Sequence, residues 1–166
     1  MVSEDIVIRE ARREDADILI RFSAAMAWET EQRELDRERL RQGTLAVFDR
    51  ADRGTFYVAE HRPDHAVIGQ CLITYEWSDW RNAQFWWIQS VYVDTQWRRR
   101  GVYRRLHDSI RKRAQTTPGV CGIRLYVEQN NTTAQDAYRR AGLRRSGYLI
   151  FEEDFVYSSH SPKESP

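Results

Sequence analysis

The chain has 166 residues, 41% hydrophobic and 12% aromatic, which suits one domain around one core and is too apolar for a disordered chain. Its 26 basic and 25 acidic residues leave a net charge of +1, so total charge does not point to nucleic acid and any anion site must be local. No apolar run reaches about 18 residues, so no apolar membrane-spanning helix is expected.

Taken in chain order, the pattern predicts a short strand at residues 6–9, then a helix opening near Asp15 with Leu19, Phe22 and Met26 on one face. A second helix is expected over 36–48. Residues 55–60 and 66–77 alternate as the two strands of a hairpin, with 61–64 as its loop. A polar connection at 78–83 leads to 85–93, apolar on both faces as in a buried central strand. After Gly101 the period changes: Val102, Leu106, Ile110 and Ala114 recur every four residues, an amphipathic helix. A strand follows at 123–127. Ala134, Ala137, Tyr138 and Ala141 then form one helical face, with Gly142 placed as its C-terminal cap. Residues 148–157 read as one or two last strands. Strands and helices interleave without a linker, so one α/β domain is expected over 1–158, with a disordered tail at 159–166.

The start, Met1-Val2-Ser3-Glu4-Asp5, lacks the basic and apolar parts of a signal peptide, and a cytoplasmic location is expected. Cys71 and Cys121 each sit in an apolar run without metal-ligand spacing and read as reduced core thiols. His61, His65, His107 and His160 show no metal or triad spacing, so no metal site is expected; His107 falls among arginines and reads as solvated.

The densest charge lies at 98–113, where Arg98, Arg99, Arg100, Arg104, Arg105, Arg111, Lys112 and Arg113 face only Asp108. It falls where a buried strand passes through a glycine turn into a helix. The first amides of a helix lack intrahelical partners and carry the positive end of its dipole, and a phosphate group satisfies both. Glycine lets the backbone come close. Neither a Walker loop nor a G-x-G-x-x-G pattern is present, and the charge run alone fits a solvated surface as well as a phosphate site.

Two segments carry a resemblance. Arg98-Arg99-Arg100-Gly101-Val102-Tyr103, after the strand Val91-Tyr92-Val93, resembles the acetyl-CoA pyrophosphate loop, [QR]-x-x-G-x-[GA], of the GNAT superfamily of N-acetyltransferases. The stretch from Asn131 to Leu143 is similar to the family's later N-x-x-A-x-x-x-Y-x-x-x-G-F segment, and it too follows a strand. The resemblance implies a central mixed, mostly antiparallel sheet of about six to seven strands flanked by about four helices. It departs from the family at Tyr103, where glycine or alanine is usual. Leu143 replaces phenylalanine, and Trp87, Gln89 and Ser90 stand where many relatives carry a carboxylate base.

The activity implied is acetyl transfer from acetyl-CoA to an amine by direct attack in a ternary complex. Main-chain groups of Val91 and Val93 would hold the pantetheine arm like an added strand, with Tyr92 between them also at the cofactor. The amide of Val93 or its neighbour would polarise the thioester carbonyl. Arg98, Arg99, Arg100, Gly101, Val102, Tyr103 and Arg104 would surround the pyrophosphate, with Asn131 and Ala134 flanking the cofactor. Tyr138 falls at the general-acid position, also against the cofactor, and would protonate the departing thiolate; an ordinary core tyrosine is the alternative. For the base, Glu76 and Asp79 are candidates, with Glu76 preferred. Glu29, Glu31, Glu76, Asp79 and Trp80, with Trp86 and Trp87 nearby, would suit a cationic acceptor; a Glu29–Arg33 surface pair and core tryptophans are the plain alternative. A homodimer through the late strands is also implied. Two rival readings stand: an acyl-CoA-binding regulatory module without catalysis, and a nucleic-acid binder using the arginine helix, which the motif order disfavours.

Overall fold

The structure is a computed structural model that describes residues 5–157. Its elements are β1 (Ile6–Glu10), α1 (Ala16–Glu31), α2 (Arg37–Asp49), β2 (Thr55–His61), β3 (Ala66–Ser78), β4 (Ala83–Val93), α3 (Val102–Thr116), β5 (Val120–Leu125) and α4 (Thr132–Arg140). Residues 1–4 and 158–166, with His160 and the tail expected at 159–166, lie outside the described residues.

The helix starts follow from short polar side chains. Asp36 accepts a hydrogen bond from the Arg39 amide at 2.7 Å, and Asn131 accepts one from the Ala134 amide at 3.0 Å. Asp15 accepts from the Arg12 amide at 2.6 Å just ahead of α1 and also receives Arg9, so the same carboxylate ties the helix entry to β1.

The five strands form one sheet in the order β1-β2-β3-β4-β5. The first four pair antiparallel in sequence; β5 pairs parallel with β4, with α3 as the crossover. α3 lays Val102, Leu106, Ile110 and Ala114 against Tyr57, Ala59, Cys71, Ile73, Trp86 and Ile88, and all of these are buried. On the opposite face Leu19 of α1 packs on Phe56 and Val58, with Val47 and Phe48 of α2 beside them. Each large apolar side chain so buried contributes about 1.5–3 kcal/mol.

Four expectations change. The described residues hold five strands, not six to seven, because 148–157 form none. An apolar, β-favouring run makes a stable strand only where it pairs with a partner edge, and Tyr148, Leu149, Ile150, Phe151, Phe155 and Val156 are exposed instead. β5 begins earlier than the expected 123 and ends at Leu125, before Tyr126 and Val127. Cys121 is exposed, because β5 is an edge strand and only Cys71 lies between helix and sheet. His107 is 3% exposed: it flanks the Leu106/Ile110 stripe, so α3 buries a wider face than its aliphatic residues alone outline. Among the described residues no helix is long and apolar enough to cross a membrane.

Candidate active site

β4 is paired with β3 along its length but with β5 only from Gln84, opposite Val120, to Ile88, opposite Leu125. Just beyond, Leu72 faces Ser90 while Ile73 faces Ile88, so Gln89 is the extra residue of a β-bulge. The bend turns the rest of β4 away from β5, and residues 89–93 keep a free edge. The Asp94 amide reaches across to the Ile68 carbonyl on β3 at 2.9 Å. Main-chain direction alternates along a strand, so the groups of Val93 and Val91 face the other way, onto the free edge. Arg98 confirms it by donating its Nε to the Val93 carbonyl at 3.0 Å.

The free edge runs directly into the arginine loop. A 3-10 turn at Thr95–Trp97 is capped by Asp94, whose side chain accepts from the Gln96 amide at 3.0 Å. Arg99 and Gly101 then take the left-handed conformation, with φ of 63° and 78°. The first bond of the α3 ladder runs from the Arg105 amide to the Gly101 carbonyl at 3.1 Å, so the amides of Val102, Tyr103 and Arg104 lie outside it. A Cβ added at Gly101 would meet nothing within 4 Å, which leaves an open backbone face for a ligand. Several of the side chains turn elsewhere. Arg98 pairs with Glu29, Arg100 stacks over Trp97 at 5.1 Å, Arg104 lies 3.6 Å from Asp108 and Arg105 donates to the Ile6 carbonyl at 2.7 Å. The anion-binding potential of the loop therefore rests mainly on its backbone.

Tyr103 points inward. Its hydroxyl is buried without a hydrogen-bond partner, and its ring lies 5.9 Å from that of Tyr138 and 6.1 Å from that of His107. The bulky residue at a position expected to be small thus packs between α3 and α4 and leaves the loop surface clear. Burial pushes both phenols upward, Tyr138 by desolvation and then by the nearby Cys71 thiol, so Tyr138 stays protonated at neutral pH. Cys71, the thiol that acts on Tyr138, is paired in register with Val91 of the free-edge segment. Asn131 uses its side-chain oxygen to start α4, with Ala134 half-buried on the next turn.

The α1 side of the sheet carries a polar ladder. Glu76 accepts from the Trp87 indole and pairs with Arg124 at 2.7 Å; Gln89 donates to the Thr74 hydroxyl at 2.8 Å and accepts from the Tyr126 hydroxyl at 2.7 Å. Nearer the loop, Glu29 accepts from the Tyr92 hydroxyl at 2.8 Å and from Arg98 at 2.6 Å. Burial alone would raise the Glu29 carboxyl, but these two donors hold it below the usual carboxylate range. Arg33 pairs with Glu31, at 3.5 Å, and not with Glu29. Asp79 caps its own turn by accepting from the Trp80 amide at 2.9 Å, and Trp80 is 84% exposed. Both sit at the β3–β4 hairpin tip, where Ala83 is about 20 Å along β4 from Gln89. Trp86 belongs to the core beneath α3, on the opposite face from Trp87. Arg124, Gln89 and His107 were not singled out as functional residues from sequence; their surroundings depend on register and helix packing.

The sequence pattern of the Acetyltransferase (GNAT) family matches residues 17–143. A possible acetyltransferase from Clostridium difficile 630 superposes with a TM-score of 0.85 at 38% identity, covering 92% of this chain and 99% of that one. An aminoglycoside acetyltransferase from an uncultured soil metagenomic sample, in complex with sisomicin, gives 0.74 at 16% identity, over 93% of this chain and 99% of that one. An aminoglycoside N-acetyltransferase in complex with CoA gives 0.72 at 15%, over 90% and 95%. The last two share the fold, and no curated protein matches the chain. A free β4 edge leading into a left-handed arginine–glycine loop and an exposed helix N-terminus accords with the match over 17–143, and the chain belongs to the GNAT family of acetyltransferases.

Proposed function

We propose that the protein moves an acetyl group from acetyl-CoA to a primary amine, on a small molecule or a peptide, by direct attack in a ternary complex. The observation that carries this reading is the continuity of the free β4 edge with the loop that follows it. The main-chain groups of Val91 and Val93, on either side of Tyr92, add the pantetheine arm to the sheet, and the Val93 amide polarises the thioester carbonyl. The amides of 99–104 hold the pyrophosphate, Arg98 supplies charge beside it, and Asn131 and Ala134 border the cofactor. CoA bound to a neighbour of the same fold supports this assignment.

In the reaction the amine nitrogen bonds to the acetyl carbon, the C–S bond breaks, and the thiolate takes its proton from the Tyr138 hydroxyl. The proton lost by the amine goes to Glu76, whose carboxylate is oriented by Trp87 and Arg124. Glu29 and Glu76 attract a cationic acceptor. Glu31 at the end of α1 and Asp79 with Trp80 at the hairpin tip extend that surface for longer polyamines. The sisomicin-bound neighbour is consistent with that class of acceptor. The two free cysteines accord with action in the cytoplasm. The exposed apolar residues of 148–157 favour a homodimer in which a second copy covers them.

A non-catalytic acyl-CoA-binding module is the second reading, favoured by the prior engagement of Glu76 with Arg124. A thermal-shift titration with acetyl-CoA, followed by thiol release across a panel of amines, tests both. Stabilisation with turnover supports the transferase, stabilisation without turnover supports the module, and no stabilisation by any acyl-CoA contradicts both.

A further inference from the structure

A cavity of about 450 Å³ lies between α3, β5 and the turn after α4, with His107, Arg111 and Gln115 on one side, Cys121 and Ile123 on another, and Arg144 just beyond the turn that follows α4. Its volume falls within the range of small-molecule sites. The three α3 residues are spaced by four and so share one helix face. Arg111 is nine residues beyond Val102, about 13 Å down the helix from the phosphate loop.

His107 is 3% exposed, yet neither ring nitrogen has a hydrogen-bond partner. The nearest carboxylate oxygen, of Asp108, stands 3.8 Å from Nδ1, too far to accept a hydrogen bond. A buried imidazole left in this state is unusual, because buried polar groups are nearly always paired. Arg111 lies across Gly142, with Nη1 3.5 Å from where a Cβ at that position would be. Among the described residues neither Arg111 nor Arg144 has an ion pair, in contrast to Arg9, Arg98 and Arg124. Two uncompensated guanidinium groups exclude a cation or a metal ion and call for an acceptor-only ligand.

We propose that this cavity is a second ligand site, separate from the acetyl-CoA loop, which takes a small molecule through an oxyanion, carboxylate or phosphate, held by Arg111, Arg144 and the N–H of His107. The apolar wall of Ala114, Val120 and Ile123 accepts the remainder of that molecule. The His107 ring packs on Tyr103 and Tyr103 on Tyr138, so the occupant lies two rings from the proposed acid.

The test is side-chain nitrogen NMR of the histidines in the full chain, titrated separately with inorganic phosphate and with acetate, in the wild type and in an Arg111→Gln, Arg144→Gln double variant. Both arginines are exposed, so the variant keeps its fold. The expected result is a saturable shift of the His107 ring nitrogens, with a midpoint at least about tenfold higher in the variant, the loss appropriate to charge-assisted hydrogen bonds. A response to phosphate alone assigns a phosphoryl group, and a response to acetate assigns a carboxylate. No shift with either anion, or equal midpoints in the two proteins, overturns the proposal. The readout sits at His107 and does not depend on acetyl-CoA binding at the loop.

Discussion

Arg98 ties two parts of the site together: its Nη2 lies 2.6 Å from Glu29 at the end of α1, while its Nε donates to the Val93 carbonyl on the free edge of β4. The side proposed for the amine and the edge proposed for the cofactor thus share one guanidinium. Glu29→Gln keeps a hydrogen-bond acceptor but removes its charge. Its expected effect is a rise of roughly three- to tenfold in KM for both acetyl-CoA and amine, modest because the pair is partly exposed. Initial-rate kinetics on the two substrates check it. The Glu29 carboxyl is held below its unfolded value, so its contribution to stability is present above about pH 4.3 and is lost as pH falls through the folded pKa.

Tyr138 and Tyr103 are neighbouring buried phenols with opposite expected behaviour. Tyr138→Phe removes the proposed proton donor and should lower kcat about 100-fold with little change in KM for acetyl-CoA. Tyr103→Phe removes a buried hydroxyl that has no partner, so it should leave kcat within a few-fold and be neutral or stabilising by up to about 1 kcal/mol. Steady-state rates and urea denaturation of the two variants separate these roles.

His107 should make stability depend on pH. Burial pushes its pKa below the unfolded value, against an opposing pull from Asp108, with Arg111 acting in the same direction as burial. Below about pH 6.5 the unfolded chain binds a proton that the native state resists, so stability falls as pH drops through that window and is unaffected well above it. The urea midpoint measured across this range should decline for the wild type and decline less for His107→Leu.

Arg9 joins three elements, donating to Asp15 at 2.7 Å and to Glu60 at 2.5 Å, with its side chain only 18% exposed. Arg9→Met leaves two largely buried carboxylates without their cation and should cost about 3 kcal/mol, read from urea denaturation at neutral pH. Asp15→Asn in the same background should recover part of it, because it removes one of the two stranded charges.

The features legible in the sequence were those with local causes. Gly101 between a β-branched run and the Val102, Leu106, Ile110, Ala114 stripe marked the strand-to-helix turn, and Asn131 followed by an alanine face marked α4. The less legible features depend on pairing across the chain. The bulge at Gln89 exists only in the register of β3 against β4. Arg124 reaches Glu76, 48 residues earlier, only because β5 runs parallel to β4. His107 read as solvated among arginines because its burial is set by how α3 rolls on the sheet. Residues 148–157 carry two apolar, β-favouring runs, yet they pair with neither edge of the sheet.

The central claim is that acetyl-CoA lies along the free edge of β4 with its pyrophosphate on the loop amides. Backbone amide NMR on titration with acetyl-CoA tests it most directly. With the cofactor so placed, the largest shifts fall at Val91, Val93 and residues 99–104, with Gly101 among the strongest. Saturable binding that leaves those amides unmoved, or no binding at all, would contradict it.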